Sequence, residues 1–317
     1  MHCDTNAATT GQPTVQTSNI APTHHDLIAL RAQVAALRAT RGMGNGASGG
    51  THRSPRLGAG LDFAEVRPYQ SGDDPRNMDW RHTARRGQPF TKLFHEERER
   101  PVRVFVDLGP TMRFGTRCAF KSVVAARTAA LLAWATIDVG DRIGGTVHDG
   151  HAHREQPTCG RERGALGLIH QLVAAAAQPR SSSGPDAFAA ALRAFAHPVR
   201  PGSHAIVLSD FHHLDAAGER ALATLRGASG ITLVRVFDTI ESAPPPPGIY
   251  RIAARDGERT LDLRDPAARD AYGAPFRERS ERLAALARRL GATLLPLATH
   301  DDPLRTLATL IRPTAAR

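Results

Sequence analysis

The sequence predicts an α/β protein built on a doubly wound, mostly parallel β-sheet flanked by helices. From residue 101 to the end, short apolar segments alternate with segments of helical periodicity, which is the pattern of such folds. The chain has 317 residues, of which 41% are hydrophobic. It is therefore long enough to bury a sizeable core and too apolar to be wholly disordered. Aromatic residues make up only 5% of the chain, so Ala, Leu, Val and Ile must form most of that core.

The sequence ahead of this alternating region is of a different kind. Residues 1–23 are polar and are predicted to be mobile. An amphipathic helix is predicted over residues 26–38, where apolar residues recur at helical spacing. These residues are Leu27, Leu30, Val34 and Leu37. A glycine-rich linker is predicted at residues 41–54. We divide the chain into an N-terminal part at 1–56, a mixed segment at 57–100 and an α/β domain at 101–317.

Apolar runs with β-branched residues predict the strands of the α/β domain. The strands are predicted to begin near Val102, Ile143, Ala205, Ile231 and Thr293. Helices are predicted at about residues 120–138, 165–177, 187–196, 216–226, 275–290 and 303–311. Residues 150–163 are predicted to form a polar loop, and residues 250–263 a β-hairpin with Asp256 and Gly257 at its turn.

The formal net charge of +10 first suggests an acidic partner such as nucleic acid. Of the 41 lysine and arginine residues, only Lys92 and Lys121 are lysines. The arginines are spread along the chain beside acidic residues. We therefore interpret the charge as compositional bias with ion pairing, and binding to nucleic acid is not expected.

Cysteine content and hydropathy indicate the cellular compartment in which the protein is expected. The three cysteines have no metal-ligand spacing, which argues against a disulfide framework and favours a reducing, cytoplasmic location. The polar N-terminal residues do not form the pattern of a signal peptide. The most apolar stretch, residues 122–139, contains Arg127 and Asp138. It is predicted to be a buried helix, so no membrane span is expected.

Two acidic residues follow predicted strands directly. Asp107 ends the first strand of the α/β domain, and Asp210 ends the strand that begins near Ala205. In open α/β sheets, ligands bind beyond the carboxyl ends of the strands, near the point where the strand order reverses. We therefore expect both carboxylates to lie at one edge of the sheet.

The mixed segment carries an extended motif between residues 60 and 88 that resembles the signature of the DUF58 family. The matching positions are Gly60, Asp62, Phe63, Arg67, Tyr69, Gly72, Asp73, Asp74, Arg76, Asp79, Trp80, Ala84 and Arg85. The resemblance extends over roughly residues 24–317. It implies a second half similar to von Willebrand factor A domains, and a partnership with a MoxR-type AAA+ ATPase encoded nearby. The family has no established enzymatic activity.

The resemblance also implies a site for Mg²⁺, because von Willebrand A domains bind this ion through an Asp-x-Ser-x-Ser motif and a later aspartate. Here Asp107, Thr111 and Asp210 match, while Gly109 replaces one hydroxyl ligand. Hard oxygen ligands suit Mg²⁺, and the missing hydroxyl predicts either weak binding or a degenerate site in which Asp107 and Asp210 only cap loops. Histidines 148, 151 and 153 offer an alternative site for a transition metal, but we interpret them as part of a solvated loop.

Within the signature segment, arginines interleave with acidic residues and predict a network of ion pairs. The segment is interpreted either as a structural clasp on the α/β domain or as a docking surface for a partner. The residues assigned to one or the other role are Arg67, Tyr69, Gly72, Asp73, Asp74, Arg76, Asp79, Trp80 and Arg85. As a clasp, the segment should bury Trp80 against the α/β domain.

Three functions follow from these observations. The first is a non-enzymatic interaction module, an adaptor or assembly factor that works with a MoxR-type AAA+ ATPase and a client protein. The second is a metal-dependent hydrolase that uses the Asp107 and Asp210 edge, although the sequence supplies no clear general base. The third is nucleic-acid binding, which lacks basic clusters interleaved with aromatic residues.

Overall fold

A computed structural model describes residues 19–40, 53–58, 62–97, 100–177, 184–254 and 257–310. The strands are β1 (Arg53–Gly58), β2 (Asp62–Pro68), β3 (Phe90–Glu97), β4 (Pro101–Asp107), β5 (Arg142–His148), β6 (His153–Cys159), β7 (His204–Ser209), β8 (Gly230–Phe237), β9 (Ile249–Ala254), β10 (Gly257–Asp262) and β11 (Thr293–Ala298). The helices are α1 (His24–Thr40), α2 (Trp80–Arg86), α3 (Lys121–Asp138), α4 (Arg161–Ala176), α5 (Pro185–Ala196), α6 (Ala216–Ala223), α7 (Thr239–Ser242), α8 (Pro266–Leu290) and α9 (Pro303–Leu310). Of the segment predicted to be mobile, residues 1–23, residues 1–18 lie outside the described residues, as do residues 41–52 of the predicted linker.

The main sheet has six strands in the order β11-β8-β7-β4-β5-β6. All neighbouring pairs are parallel except β5 and β6. Counted along the chain within this sheet, the order is 3-2-1-4-5-6, so the winding reverses between β4 and β7. The prediction of a doubly wound, mostly parallel sheet flanked by helices is confirmed, and the five predicted strands begin within one residue of their expected starts.

Each face of this sheet is covered by its own apolar layer. One layer includes Leu27, Val106, Trp134 and Leu168, from α1, β4, α3 and α4. The other includes Phe105, Phe188, Phe195 and Leu286, from β4, α5 and α8. Consecutive residues of β4 thus point into opposite layers, as strand geometry requires. The predicted reliance on small aliphatic residues holds for α3, where alanines pack closely against the sheet.

Helix α1 belongs to this packing. Leu27 and Leu30 are buried against α3 and α4. The indole Nε1 of Trp134 donates a 3.0 Å hydrogen bond to the carbonyl of Leu27. The prediction of an N-terminal helix packed on the α/β domain is confirmed.

Two secondary-structure predictions are wrong. Residues 153–159 form strand β6 instead of a loop, an antiparallel strand whose polar sequence suits its place at the edge of the sheet. Helix α8 begins at Pro266, not near Pro275, because the Asp265 carboxylate caps it and Pro266 fits its first turn. Pro275 lies inside that helix. The predicted hairpin is confirmed as β9 and β10, while Asp256 lies outside the described residues.

In the described part of the chain, no helix is both long enough and apolar enough to cross a membrane.

Candidate functional site

The edge where the sheet reverses its winding holds a group of buried polar residues. Asp107 is the last residue of β4, Ser209 is the last residue of β7, and Asp210 follows directly. Because β4 and β7 are parallel neighbours, their carboxyl ends meet at this edge. All three residues are buried, with Ser209 fully enclosed. The sequence-based prediction that Asp107 and Asp210 share one edge agrees with this geometry.

Asp107 is held by local hydrogen bonds. The Ser209 hydroxyl donates to its Oδ2 at 2.7 Å, and the backbone N–H of Gly109 donates to its Oδ1 at 2.9 Å. Burial, followed by repulsion from Asp210, raises the pKa of Asp107 to about 7 despite these bonds. A carboxyl group here is therefore protonated far more readily than one in water.

Lys121, the first residue of α3, supplies the positive charge at this edge. Its Nζ lies 2.8 Å from Asp210 Oδ2 and 2.8 Å from Glu241 Oε1. Burial alone would lower the pKa of Lys121, but the two carboxylates outweigh it and the pKa is raised. Burial likewise acts to raise the pKa of Asp210, but the ammonium holds it below its usual value. Lys121 is therefore a charged, fully paired residue that is only 1% exposed.

Sequence reasoning missed Lys121 and Glu241 as members of this group. Lys121 is 89 residues from Asp210 and 120 residues from Glu241, so no local spacing connects them. One signal was present in the sequence, because lysine is rare in it. Among the 41 lysine and arginine residues, Lys121 is one of only two lysines.

Asp238, which follows β8, extends the polar edge. The hydroxyls of Thr116 and Thr299 donate to it at 2.6 and 2.7 Å, and the backbone N–H groups of Thr116 and Ile240 donate as well. Burial acts to raise the pKa of Asp238, but these hydrogen bonds outweigh it and the pKa is lowered. Glu241 closes a capping box by accepting from the Asp238 backbone N–H. Glu241 is thus positioned by α7 to reach Lys121.

The third residue proposed as a metal ligand, Thr111, lies in a half-buried 3₁₀ turn after β4. The hydrogen bonds of the described residues include none from its hydroxyl to Asp107 or Asp210. Among the described residues there is also no cluster of three or more His, Cys, Asp or Glu side chains that could hold a metal ion. These donors do not fit the Mg²⁺ site that the sequence suggested, and Mg²⁺ binding stays a prediction.

The expectation that the three neighbouring histidines are solvated is wrong for His148. It ends β5, is 1% exposed and stacks on Phe105, with ring centroids 6.4 Å apart. Burial is the main cause that lowers its pKa. His151 and His153 are exposed.

Strands β2 and β3 of the signature segment form a separate three-stranded antiparallel sheet with β1, which begins at Arg53, ahead of the predicted segment. The strand order is β1-β3-β2, and α2 lies between β2 and β3 along the chain. Its acidic residues mostly serve as caps. Asp74 accepts from the backbone N–H of Arg76, and Asp79 accepts from those of Arg81 and His82 at the start of α2. Asp73 pairs with Arg67 at 2.7 Å, beside a turn in which Gly72 has a φ of 107°. Among the side chains that the structure describes in this segment, Asp73 therefore keeps an ion pair, while Asp74 and Asp79 accept mainly from backbone N–H groups.

The prediction that Trp80 is buried is wrong. Trp80 is the first residue of α2 and is 70% exposed. Tyr69 and Phe90 are half-buried, whereas the side chains of Phe63 and Phe94 lie outside what the structure describes. Arg76, Arg81 and Arg85 are exposed as well. Packing of the whole segment on the α/β domain stays a prediction, but Trp80 does not anchor it.

Relatives of known sequence carry no assigned role. Uncharacterized proteins of Mycobacterium bovis and Mycobacterium tuberculosis are 29% identical to this chain over 276 residues, which is 84% of this chain and 83% of each relative. The similarity therefore includes most of the signature segment and the α/β domain.

Solved structures with similarity to the chain resemble it only loosely. BatB from Bacteroides thetaiotaomicron is 14% identical with a TM-score of 0.41, over 66% of this chain and 95% of that one. An aerotolerance-related membrane protein from Bacteroides fragilis is 13% identical with a TM-score of 0.44, over 66% and 96%. A von Willebrand factor type A protein from Catenulispora acidiphila is 14% identical with a TM-score of 0.33, over 46% and 35%. The fold assignment therefore depends on the strand order described above.

The family comparison is the decisive one. The model of DUF58, described as a protein of unknown function, matches residues 65–282, which is more than half of the chain. The match spans the signature segment from Glu65 onward and the sheet edge with Asp107, Lys121 and Asp210. The chain belongs to the DUF58 family.

Proposed function

We propose that this protein is a non-enzymatic interaction module that serves a MoxR-type AAA+ ATPase as an adaptor or assembly factor for a client protein. The observation that carries the proposal is the exposed Trp80 on α2, with exposed Arg81 and Arg85 on the same short helix. Trp and Arg are the residues that contribute most often to binding energy in protein interfaces. The choice of ATPase comes from the family resemblance, and the cytoplasmic location stays a prediction from the cysteines.

The hydrolase alternative has less support. A metal-dependent hydrolase needs a bound ion with an open coordination position and a base that can reach the substrate. At the sheet edge, the Lys121 ammonium already contacts Asp210 and Glu241, and Asp107 is buried beneath Ser209. Binding to nucleic acid is the third alternative, and strong loss of affinity with added salt would favour it.

The proposal is tested by measuring the affinity of the purified chain for the MoxR-type ATPase of the same genome. Trp80→Ala should weaken binding at least about tenfold, because truncating an interface tryptophan commonly removes more than about 1.4 kcal/mol. Ile252→Ala, at another exposed apolar residue that is 45% exposed, is the matched control and should bind like the wild type. Equal affinities for all three proteins would place docking elsewhere, and no binding by the wild type would exclude this partner.

A further inference from the structure

Lys121 stands in an unusual place for a lysine. It is the first residue of an 18-residue helix, where the helix dipole disfavours a positive charge. It is also 1% exposed, and burial of an ammonium is costly without close partners. The two carboxylates at 2.8 Å supply those partners. The position is therefore maintained by the acidic edge of the sheet and not by the helix.

The same edge lacks what a divalent cation needs. At Gly109, a Cβ would lie 3.0 Å from Asp107 Oδ1 and 3.4 Å from the Cα of Gly150, so a serine hydroxyl cannot be introduced there without displacing a neighbour. The Asp210 oxygen that faces the edge is occupied by the ammonium. A second cation, Arg235, is 7% exposed; burial and then repulsion from Arg279 lower its pKa, while Glu241 and Asp210 act in the opposite direction. Protein cations thus already balance the carboxylates.

We infer that Lys121 is a built-in cation that takes the place of a divalent metal at the carboxyl edge, so that this edge assembles without metal. The ammonium joins the start of α3 to Asp210, which follows β7, and to Glu241 in helix α7. Any partner that docks at this edge then meets a surface whose charge does not vary with the concentration of Mg²⁺. The inference concerns the chain alone and holds whether or not the proposed ATPase is its partner.

The test compares melting temperatures in chelator and in about 5 mM Mn²⁺ or Mg²⁺, together with calorimetric titration of each metal into the protein. The wild type should show no metal-dependent shift. Lys121→Ala leaves Asp107, Asp210 and Glu241 without their cation, so its melting temperature in chelator should fall by at least about 5 °C. Added Mn²⁺ should restore much of that loss, with at least tenfold tighter binding than to the wild type.

Two further variants separate this effect from general damage. Lys92→Ala removes the only other lysine and should show neither a large loss nor a response to metal. The double variant Lys121→Ala with Asp210→Asn removes one charge of each sign, and it should be more stable in chelator than the single variant and less responsive to Mn²⁺. If Lys121→Ala alone fails to fold, the comparison of the double variant with the wild type replaces it.

The inference is overturned if the wild type binds Mg²⁺ or Mn²⁺ and is stabilised by it. It is also overturned if Lys121→Ala is as stable as the wild type, or if its loss is not relieved by metal. A double variant that is no more stable than the single variant, or that cannot fold, contradicts it as well.

Discussion

The chain has two lysines and two tryptophans, and each pair is divided between two regions of the molecule. Lys121 and Trp134 lie in the α/β domain at 1% and 2% exposure, and each makes specific hydrogen bonds. Trp80 and Lys92 lie in the signature segment, where Trp80 is 70% exposed. The comparison shows that similar side chains serve different ends. In the α/β domain both side chains are buried and hydrogen-bonded, whereas in the segment Lys92 is half-buried and Trp80 is largely exposed to solvent.

The acidic residues follow the same division. At the sheet edge, Asp210 pairs with a buried ammonium, and Asp238 accepts hydrogen bonds from two threonine hydroxyls. In the signature segment, Asp73, Asp74 and Asp79 mainly accept from nearby backbone N–H groups. Long-range pairing therefore characterises the edge, and local capping characterises the segment. Substitutions in the two regions should differ accordingly.

The largest expected effect is that of Asp210→Ala. Among the described residues, it leaves the buried Lys121 with Glu241 as its remaining carboxylate partner, and removal of one member of a buried ion pair costs about 3–5 kcal/mol. Asp73→Ala, which breaks the more exposed pair with Arg67, is the matched variant and should cost less. Urea denaturation of both variants measures the difference. Similar losses would contradict the distinction between edge and segment.

The next effect concerns Asp238→Asn. Four donors converge on the two oxygens of this carboxylate. The amide nitrogen of asparagine, in place of either oxygen, would face N–H and O–H groups, so the substitution should lower the free energy of unfolding by about 1–3 kcal/mol near neutral pH. Because the pKa of Asp238 is lowered by folding, its ionisation stabilises the fold above about pH 4, the usual range of an unfolded aspartate. That contribution is lost as the pH falls through the lowered folded value.

Chemical denaturation of wild type and Asp238→Asn between pH 7 and pH 3 tests this expectation. The difference in free energy of unfolding should stay constant above about pH 5 and shrink below about pH 4. A difference that widens in acid would reverse the assigned direction of the pKa shift.

A smaller loss is expected for Gly109→Ser, which introduces the hydroxyl found at this place in the metal motif of von Willebrand A domains. The new Cβ crowds Asp107 Oδ1 and Gly150, so the variant should lose about 1 kcal/mol. Gly227→Ser is the control, since nothing lies within 4 Å of a Cβ at that position. If Gly109→Ser instead gains stability in Mg²⁺, the edge retains more of a metal site than its geometry indicates.

The sequence predicted the repeating parts of this structure and missed the parts that depend on distant contacts. Apolar runs and turn residues located the five strands and the β9–β10 hairpin, because these signals are local. The edge strand β6 was missed because only one side of it is paired and its residues are polar. Asp107 and Asp210 were predicted from strand ends, but the Lys121 partner lies far away along the chain.

Trp80 shows the opposite error. The clasp interpretation predicted burial, whereas Trp80, at the first helical position after the Asp79 cap, is largely exposed. Composition alone does not reveal on which side of a short helix a side chain projects.

The smallest expected effect is on stability in Trp80→Ala. A side chain that is 70% exposed loses little contact on truncation, so the free energy of unfolding should change by less than about 0.5 kcal/mol. Trp134→Ala is its counterpart and should lose about 3–5 kcal/mol, since the indole is 2% exposed and donates to the Leu27 carbonyl. Denaturant titrations followed by the fluorescence of the remaining tryptophan measure both variants. A large loss in Trp80→Ala would restore the clasp interpretation, whereas an unchanged stability combined with weakened ATPase binding would assign Trp80 to docking.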